Sequence, residues 1–209
     1  AVQTFEKVGQ NWERVNTIFD TDAASFGQAI DISVGASWTS LVVGAPRTFD
    51  EEFTNLRFGA VYYLEQDGSR WASVGTAIRP PATPFEAGGE FGASVAVAAD
   101  SRRIAVGGPS INLDADNLRN GRVYTYEFDG SDFVELAGPI DGPLPGDNFG
   151  TQVSMTRDGN RLLIGAPGPE GASSGAIYYF FWNDGEWSML LPLPGLTGDE
   201  NLGTSVAII

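Results

Sequence analysis

One phrase occurs four times in this chain, as SFGQAIDI from Ser25, EFGASVAV from Glu90, NFGTQVSM from Asn148 and NLGTSVAI from Asn201. Its Phe or Leu falls at positions 26, 91, 149 and 202, giving spacings of 65, 58 and 53 residues. A period of that size constrains the fold more than any other feature here. Each repeat must be one supersecondary unit that hides its apolar faces only by stacking on its neighbours. The spacing also matches one four-stranded antiparallel unit with its connections.

Each interval keeps one internal order. SLVVGAP, RIAVGGP and LLIGAP follow the opening phrase, and GAVYYLE, GRVYTYE and GAIYYFF follow those. An aromatic then stands 12 residues after the Gly that opens the third phrase: Trp71 after Gly59, Phe133 after Gly121 and Trp187 after Gly175. Between the third phrase and that aromatic lie Asp67-Gly68, Asp129-Gly130 and Asp184-Gly185. This dipeptide tolerates the positive φ angles of a two-residue hairpin turn. The repeat therefore reads as four strands, the first near 26–32, 91–98 and 149–156, the fourth near 70–78, 132–138 and 186–193.

Gly92, Ala93, Ser94 and Ala96 make the first strand small, which suits strands crowded around an axis. Leu41, Val42 and Val43, like Leu162, Leu163 and Ile164, are apolar in succession, as a sheet covered on both faces requires. The 27 Gly and 12 Pro suit short strands joined by tight turns. The expected fold is all-β, a β-propeller of four-stranded antiparallel blades with about three and a half blades present. Trp12 aligns with Trp71, so residues 1–19 read as the third and fourth strands of a preceding blade. Blades follow at 26–79, 91–139 and 149–194, and 202–209 opens another. Propellers close with roughly 4 to 8 blades, so the remaining blades are expected from a longer parent chain.

The formal charge of −15, from 27 acidic against 12 basic residues, repels phosphate backbones and anionic lipid headgroups, which argues against nucleic-acid and membrane-surface binding. With no Cys and no His, disulfides, thiolate chemistry and the commonest general base are excluded. No run approaches the roughly 20 apolar residues needed to cross a bilayer as a helix, so direct membrane insertion is not expected.

EFGASVAVAADSRRIAVGGP and NFGTQVSMTRDGNRLLIGAP resemble the FG-GAP repeat, in which Phe-Gly opens the first strand and Gly-Ala-Pro closes the second. The likeness covers nearly the whole chain. It implies a place in a seven-bladed propeller like the head of integrin α subunits and related secreted or surface proteins, where the propeller is an adhesion or interaction module. Binding without turnover follows from the resemblance, as does an extracellular, cell-surface or other exported location such as an organelle lumen or periplasm. The short turns ADSRR and TRDGNR are more similar to the calcium-free variants than to integrin blades.

Three segments depart from the repeat, and irregular loops on a fixed scaffold carry recognition. Arg47–Phe58 offers Phe49, Phe53 and Phe58 among charges, Arg79–Glu90 offers Phe85 among prolines, and Ser110–Asn120 offers Ile111, Leu113 and Leu118. Apolar side chains beside charge suit a protein partner; the competing reading is that they fold back to cap the unit. The same last loop spaces oxygens at Asn112, Asp114, Asp116, Leu118 and Asn120 as a calcium loop does. It lacks that loop's Gly and final acid and lies between second and third strands, so a solvated acidic loop competes; no other cofactor is expected. Asp31, Asp100 and Asp158 recur at comparable positions and read as turn residues rather than paired catalytic carboxylates. A carbohydrate-binding or carbohydrate-active propeller is the alternative function, with Trp38 and Trp182 the only tryptophans that the repeat leaves unexplained.

Overall fold

A computed structural model describes residues 1–18, 23–49, 56–81, 87–113, 119–168, 174–190, 192–196 and 201–209. The chain is all-β: among the described residues there are 16 strands and no helix. A hairpin of β1 (Val2–Val8) and β2 (Asn11–Ile18) comes first. Sheet II follows, ordered β3 (Ala29–Val34), β4 (Thr39–Ala45), β5 (Ala60–Asp67), β6 (Arg70–Ser73). Sheet III repeats that order with β7 (Ser94–Val97), β8 (Arg103–Gly108), β9 (Arg122–Phe128) and β10 (Phe133–Glu135). A short β11 (Ile140–Asp141) also pairs with β9. Sheet IV has β12 (Gln152–Met155), β13 (Arg161–Ala166), β14 (Ala176–Asn183) and β15 (Glu186–Met189), with β16 (Leu193–Pro194) also on β14. All of these ladder pairings are antiparallel.

The opening phrase does not begin a strand, as its apolar character suggested; it makes a turn. Glu90 and Gly92 take φ of 60° and 90°, and Asn148 and Gly150 take 52° and 89°. The amide two residues past Phe returns to the carbonyl before it, Ala93 to Glu90 at 2.9 Å and Thr151 to Asn148 at 3.1 Å. The first strands therefore start about three residues later than expected. The fourth strand is likewise broken. Ala137 and Gly138 at φ of 65° and 74° bulge out between β10 and β11, which re-aims the chain before it rejoins β9.

The three Asp-Gly turns also differ from one another. Asp184-Gly185 is the expected two-residue loop, both φ positive, between the paired Asn183 and Glu186. At Asp67-Gly68 the loop slips one residue, to Gly68-Ser69, because Asp67 pairs with Arg70. Asp129 opens a longer loop, where its Oδ1 accepts from the amides of Ser131 and Asp132 at 2.8 and 3.0 Å. These bonds hold its carboxyl below the ordinary range.

Between sheets, glycine sets the distance. The carbonyl of Gly92 lies so near Gly44 that a Cβ there would stand 2.0 Å from it; Gly150 meets Gly107 and Gly203 meets Gly165 in the same way. The Gly of the opening phrase thus fits the Gly of the preceding second phrase, a close approach no larger residue permits. One core packs Val42, Val61 and Tyr63 of sheet II against Phe91, Val95, Val97, Ile104 and Val106 of sheet III. A second packs Ala96, Ala105 and Val123 against Phe149, Val153, Leu162 and Ile164. Within each unit the opening Phe meets a third-strand Tyr edge-on: Phe26–Tyr62 at 5.3 Å, Phe91–Tyr124 at 5.3 Å and Phe149–Tyr178 at 5.2 Å. Such pairs contribute about 0.5–1.5 kcal/mol beyond their burial.

Candidate functional site

Pro46, Pro109 and Pro167 follow the second strands, where a residue without an amide proton ends the ladder. The chain then loops before the third strand at the same end of the sheets where the fourth strand returns to the next opening phrase. Topology alone therefore gathers the three irregular segments at one end.

Side chains and backbone tie these segments together. Thr48 closes the first loop at its neck: its amide and Oγ1 donate to the Ala45 carbonyl, and its own carbonyl accepts from Phe58 and Gly59 at 3.2 and 3.1 Å. Beyond the neck, Phe49 pairs with Arg57 in an isolated bridge, and the Arg57 guanidinium lies 5.0 Å from the Phe49 ring centre. Arg79 Nη1 donates to the Phe49 carbonyl at 3.4 Å, and Gly88 N–H donates to the Arg57 carbonyl at 2.6 Å. Further round, Ser110 donates from its amide to Gly89 and from Oγ to Glu90 Oε2 at 2.7 Å. Asn148 receives the next link, donating its amide to Arg119 at 3.1 Å and its Nδ2 to Gly168 at 3.1 Å. Asp147 accepts from Tyr178 Oη at 3.2 Å. Burial raises the Asp147 carboxyl and, with that carboxylate adjacent, pushes Tyr178 up to about 12.

Among the described residues Phe49 is the exposed aromatic of this end, at 42% exposure, with its ring beside the Arg57 guanidinium and its backbone carbonyl accepting from Arg79. Phe58 and Ile111, expected as partner contacts, are corrected: they are 2% and 0% exposed. Phe58 donates its amide to Thr48 and turns inward beneath the loop neck, while Ile111 joins the core between sheets II and III. Leu113 packs partly buried against that same core. The sequence does carry a signal for Ile111. The second phrase reads Gly-Gly-Pro here rather than Gly-Ala-Pro, and a Cβ on Gly108 would stand 2.6 Å from Ile111 Cδ1. Phe53, Phe85 and Leu118 lie outside the described residues.

Of the calcium candidates, Asp114, Asp116 and Leu118 lie outside the described residues as well. Asn112 Oδ1 accepts from the Arg119 amide at 3.0 Å, so it caps its own loop. Asn120 is buried, and its Oδ1 meets no donor among the described residues. No group of three acidic side chains suited to a cation is found among the described residues.

At the opposite end, charges are consumed in pairs. Arg102 forms an ion pair with Glu65, donating from Nη2 to Oε2 at 2.9 Å with Nε 2.8 Å from Oε1, and its guanidinium lies 4.4 Å from the Trp38 ring and 5.0 Å from Phe128. Arg103 pairs with Glu127 at 3.1 Å and covers Trp182 at 5.0 Å; Arg157 pairs with Asp100 at 3.0 Å. Trp38 and Trp182 thus stack on arginines and line separate shallow hollows rather than one shared pocket. Asp158 is a turn residue, accepting from Thr156 Oγ1 at 2.6 Å and the Asn160 amide at 3.0 Å. Asp31 is not: it sits within β3 and accepts from the Val97 amide of sheet III at 2.8 Å. Burial raises its carboxyl. These acids therefore serve separate structural bonds and do not converge. No family model matches this chain, and no curated protein shows significant similarity to it.

Proposed function

We propose that the chain is a non-catalytic interaction or adhesion module of the FG-GAP propeller type, whose stacked sheets belong to a ring completed by further blades of a longer parent chain. The looped end receives a macromolecular partner, a protein by preference, as in an accessory subunit of an exported or surface complex. One observation carries this reading. Phe49 is held half-exposed with its ring beside the Arg57 guanidinium and its backbone carbonyl bonded by Arg79, on a loop fixed at its neck by Thr48. An aromatic anchor flanked by arginine on a rigid base is the composition of a binding hot spot.

The test is site-specific photo-crosslinking in extract of the source cells, with the photoreactive residue at position 49 or, as a control, at Val134 on the outer strand β10. A discrete protein adduct is expected from position 49, lost on Arg79→Glu and absent from position 134. Equal labelling from both positions, or none from 49, overturns the reading. An adduct that is glycosidase-sensitive and contains no second polypeptide shifts it to carbohydrate binding.

A further inference from the structure

The turns between first and second strands touch one another at the end of the sheets opposite the loops. The Asp100 amide donates to the Arg157 carbonyl at 3.1 Å, and a Cβ on Gly35 would stand 2.5 Å from the Ala99 carbonyl. Counting back six residues from Gly44, Gly107 and Gly165 gives Trp38, Ser101 and Gly159. A Cβ on Gly159 would stand 2.3 Å from Ser101 Oγ, so sheets III and IV close there on small residues. The scaffold therefore has no need of a ring at this position, yet sheet II carries one.

Trp38 is held in place without a hydrogen bond of its own. Its Nε1 is buried and meets no acceptor among the described residues, an arrangement that folded chains seldom keep without a reason. The Arg102 guanidinium, anchored on Glu65, covers the indole at 4.4 Å. Arg102 reaches it from a left-handed backbone, φ 49°, which few residues other than glycine adopt. Beside the indole lies a hollow of about 370 Å³, lined by Ala36, Ser37, Trp38, Ala99, Asp100 and Arg157. Its walls all come from the turns of sheets II, III and IV. Arg157 Nε donates to Asp100 Oδ2 at 3.0 Å, with the two side chains 61% and 47% exposed. Asp100 Oδ1, both Arg157 Nη atoms and the Ser37 hydroxyl have no further partner among the described residues.

We propose that this hollow binds one neutral pyranose sugar, its C–H face on the Trp38 indole and two neighbouring hydroxyls on the Asp100–Arg157 pair. The chemistry selects the class. An indole face is electron-rich and attracts the polarised C–H groups of a sugar ring. Adjacent hydroxyls each donate and accept, which a carboxylate beside a guanidinium answers with an acceptor and donors side by side. Acidic sugars are disfavoured, since Asp100 already neutralises Arg157 and the chain carries −15 overall. The site lies at the end away from Phe49 and is independent of the partner at the looped end.

The probes are methyl glycosides of glucose, galactose, mannose, fucose and N-acetylglucosamine, with methyl glucuronide as the charged counterpart, added to the 209-residue chain. Saturation-transfer NMR should show transfer to the ring C–H protons of at least one neutral glycoside, and its titration should shift the Trp38 indole N–H resonance. Trp38→Ser, which installs the residue that sheet III has at this place, should weaken binding about tenfold or more. Asp100→Asn should weaken it comparably while leaving the thermal midpoint unchanged, because its ion pair is exposed. A mannose-terminated glycan released from glycoprotein and a linear glucan trisaccharide, titrated in parallel, separate the two sources of such a sugar, and saturable binding of either supports the site. The proposal is overturned by absence of transfer to every neutral glycoside, by transfer unchanged in either variant, or by preferential binding of the glucuronide.

Discussion

Val97 and Ile32 occupy the same place in two copies of one phrase, yet Val97 is 5% exposed and Ile32 is 56% exposed. Both are branched, both sit in a first strand, and both follow an identical turn. The difference comes from what lies in front of them: β3 and β4 cover β7, while a cleft fronts β3. Burial in a stacked repeat is thus a property of the neighbouring unit. Trp12 makes the same point, since it stands at the position of the half-buried Trp71 and Trp187 and is 68% exposed.

The comparison breaks most directly by placing a charge at each position. Val97→Asp should destabilise by at least about 3–5 kcal/mol, because a carboxylate is buried without a partner. Ile32→Asp should stay within about 0.5 kcal/mol, as surface changes do. Urea denaturation followed by tryptophan fluorescence measures both. Similar losses at the two positions would mean that the cleft is closed in solution.

A finer cut separates burial from pair geometry. Phe91 is fully buried and Phe26 only partly, yet each meets its Tyr at 5.3 Å and near 70°. Phe91→Ala should cost about 3–5 kcal/mol and Phe26→Ala distinctly less. Double-mutant cycles with Tyr124→Leu and Tyr62→Leu should nevertheless return one coupling energy, about 0.5–1.5 kcal/mol. Unequal couplings would show that the edge-on contact depends on cover from the preceding sheet.

The parts of this fold that repeat were readable before any coordinates. Strand order, the continuous apolar second strands and the four-stranded antiparallel sheets all follow from phrases in fixed sequence. What escaped was decided by single residues acting across sheets. Phe-Gly looked like strand but forms a turn, since the Gly carbonyl must turn toward the glycine of the preceding sheet. Phe58 and Ile111 looked like loop surface but fill space under the loop necks, and only the Gly108 substitution for Ala hinted at the second. At the looped end, the convergence of three segments follows from strand order. The choice of Phe49 as the presented ring required the positions of Arg57 and Arg79.

Asp31 offers the smallest test and the one most specific to the junction of sheets II and III. Its Oδ2 accepts from Val97 N–H at 2.8 Å; the equivalent position in sheet III is Ala96, which has no side-chain acceptor, and in sheet IV it is Ser154, whose Oγ accepts from the Ile208 amide at 3.1 Å. A neutral oxygen therefore serves this bond elsewhere in the same molecule. Burial raises the Asp31 carboxyl above its ordinary 3.8, against the lowering effect of the Val97 and Ile32 amides. A carboxyl raised in the folded state contributes stability that is full below the unfolded value and is lost as pH rises through the folded one. Asp31→Asn keeps an acceptor for Val97 and removes the buried charge, so it should raise the urea midpoint at pH 7. That advantage should shrink as pH falls through the raised folded value and vanish below about 3.8, where Asp31 is protonated in both states. A lower midpoint for the variant at pH 7 would mean that the charged hydrogen bond to Val97 outweighs the cost of burial, and that this junction differs in kind from the one Ser154 serves.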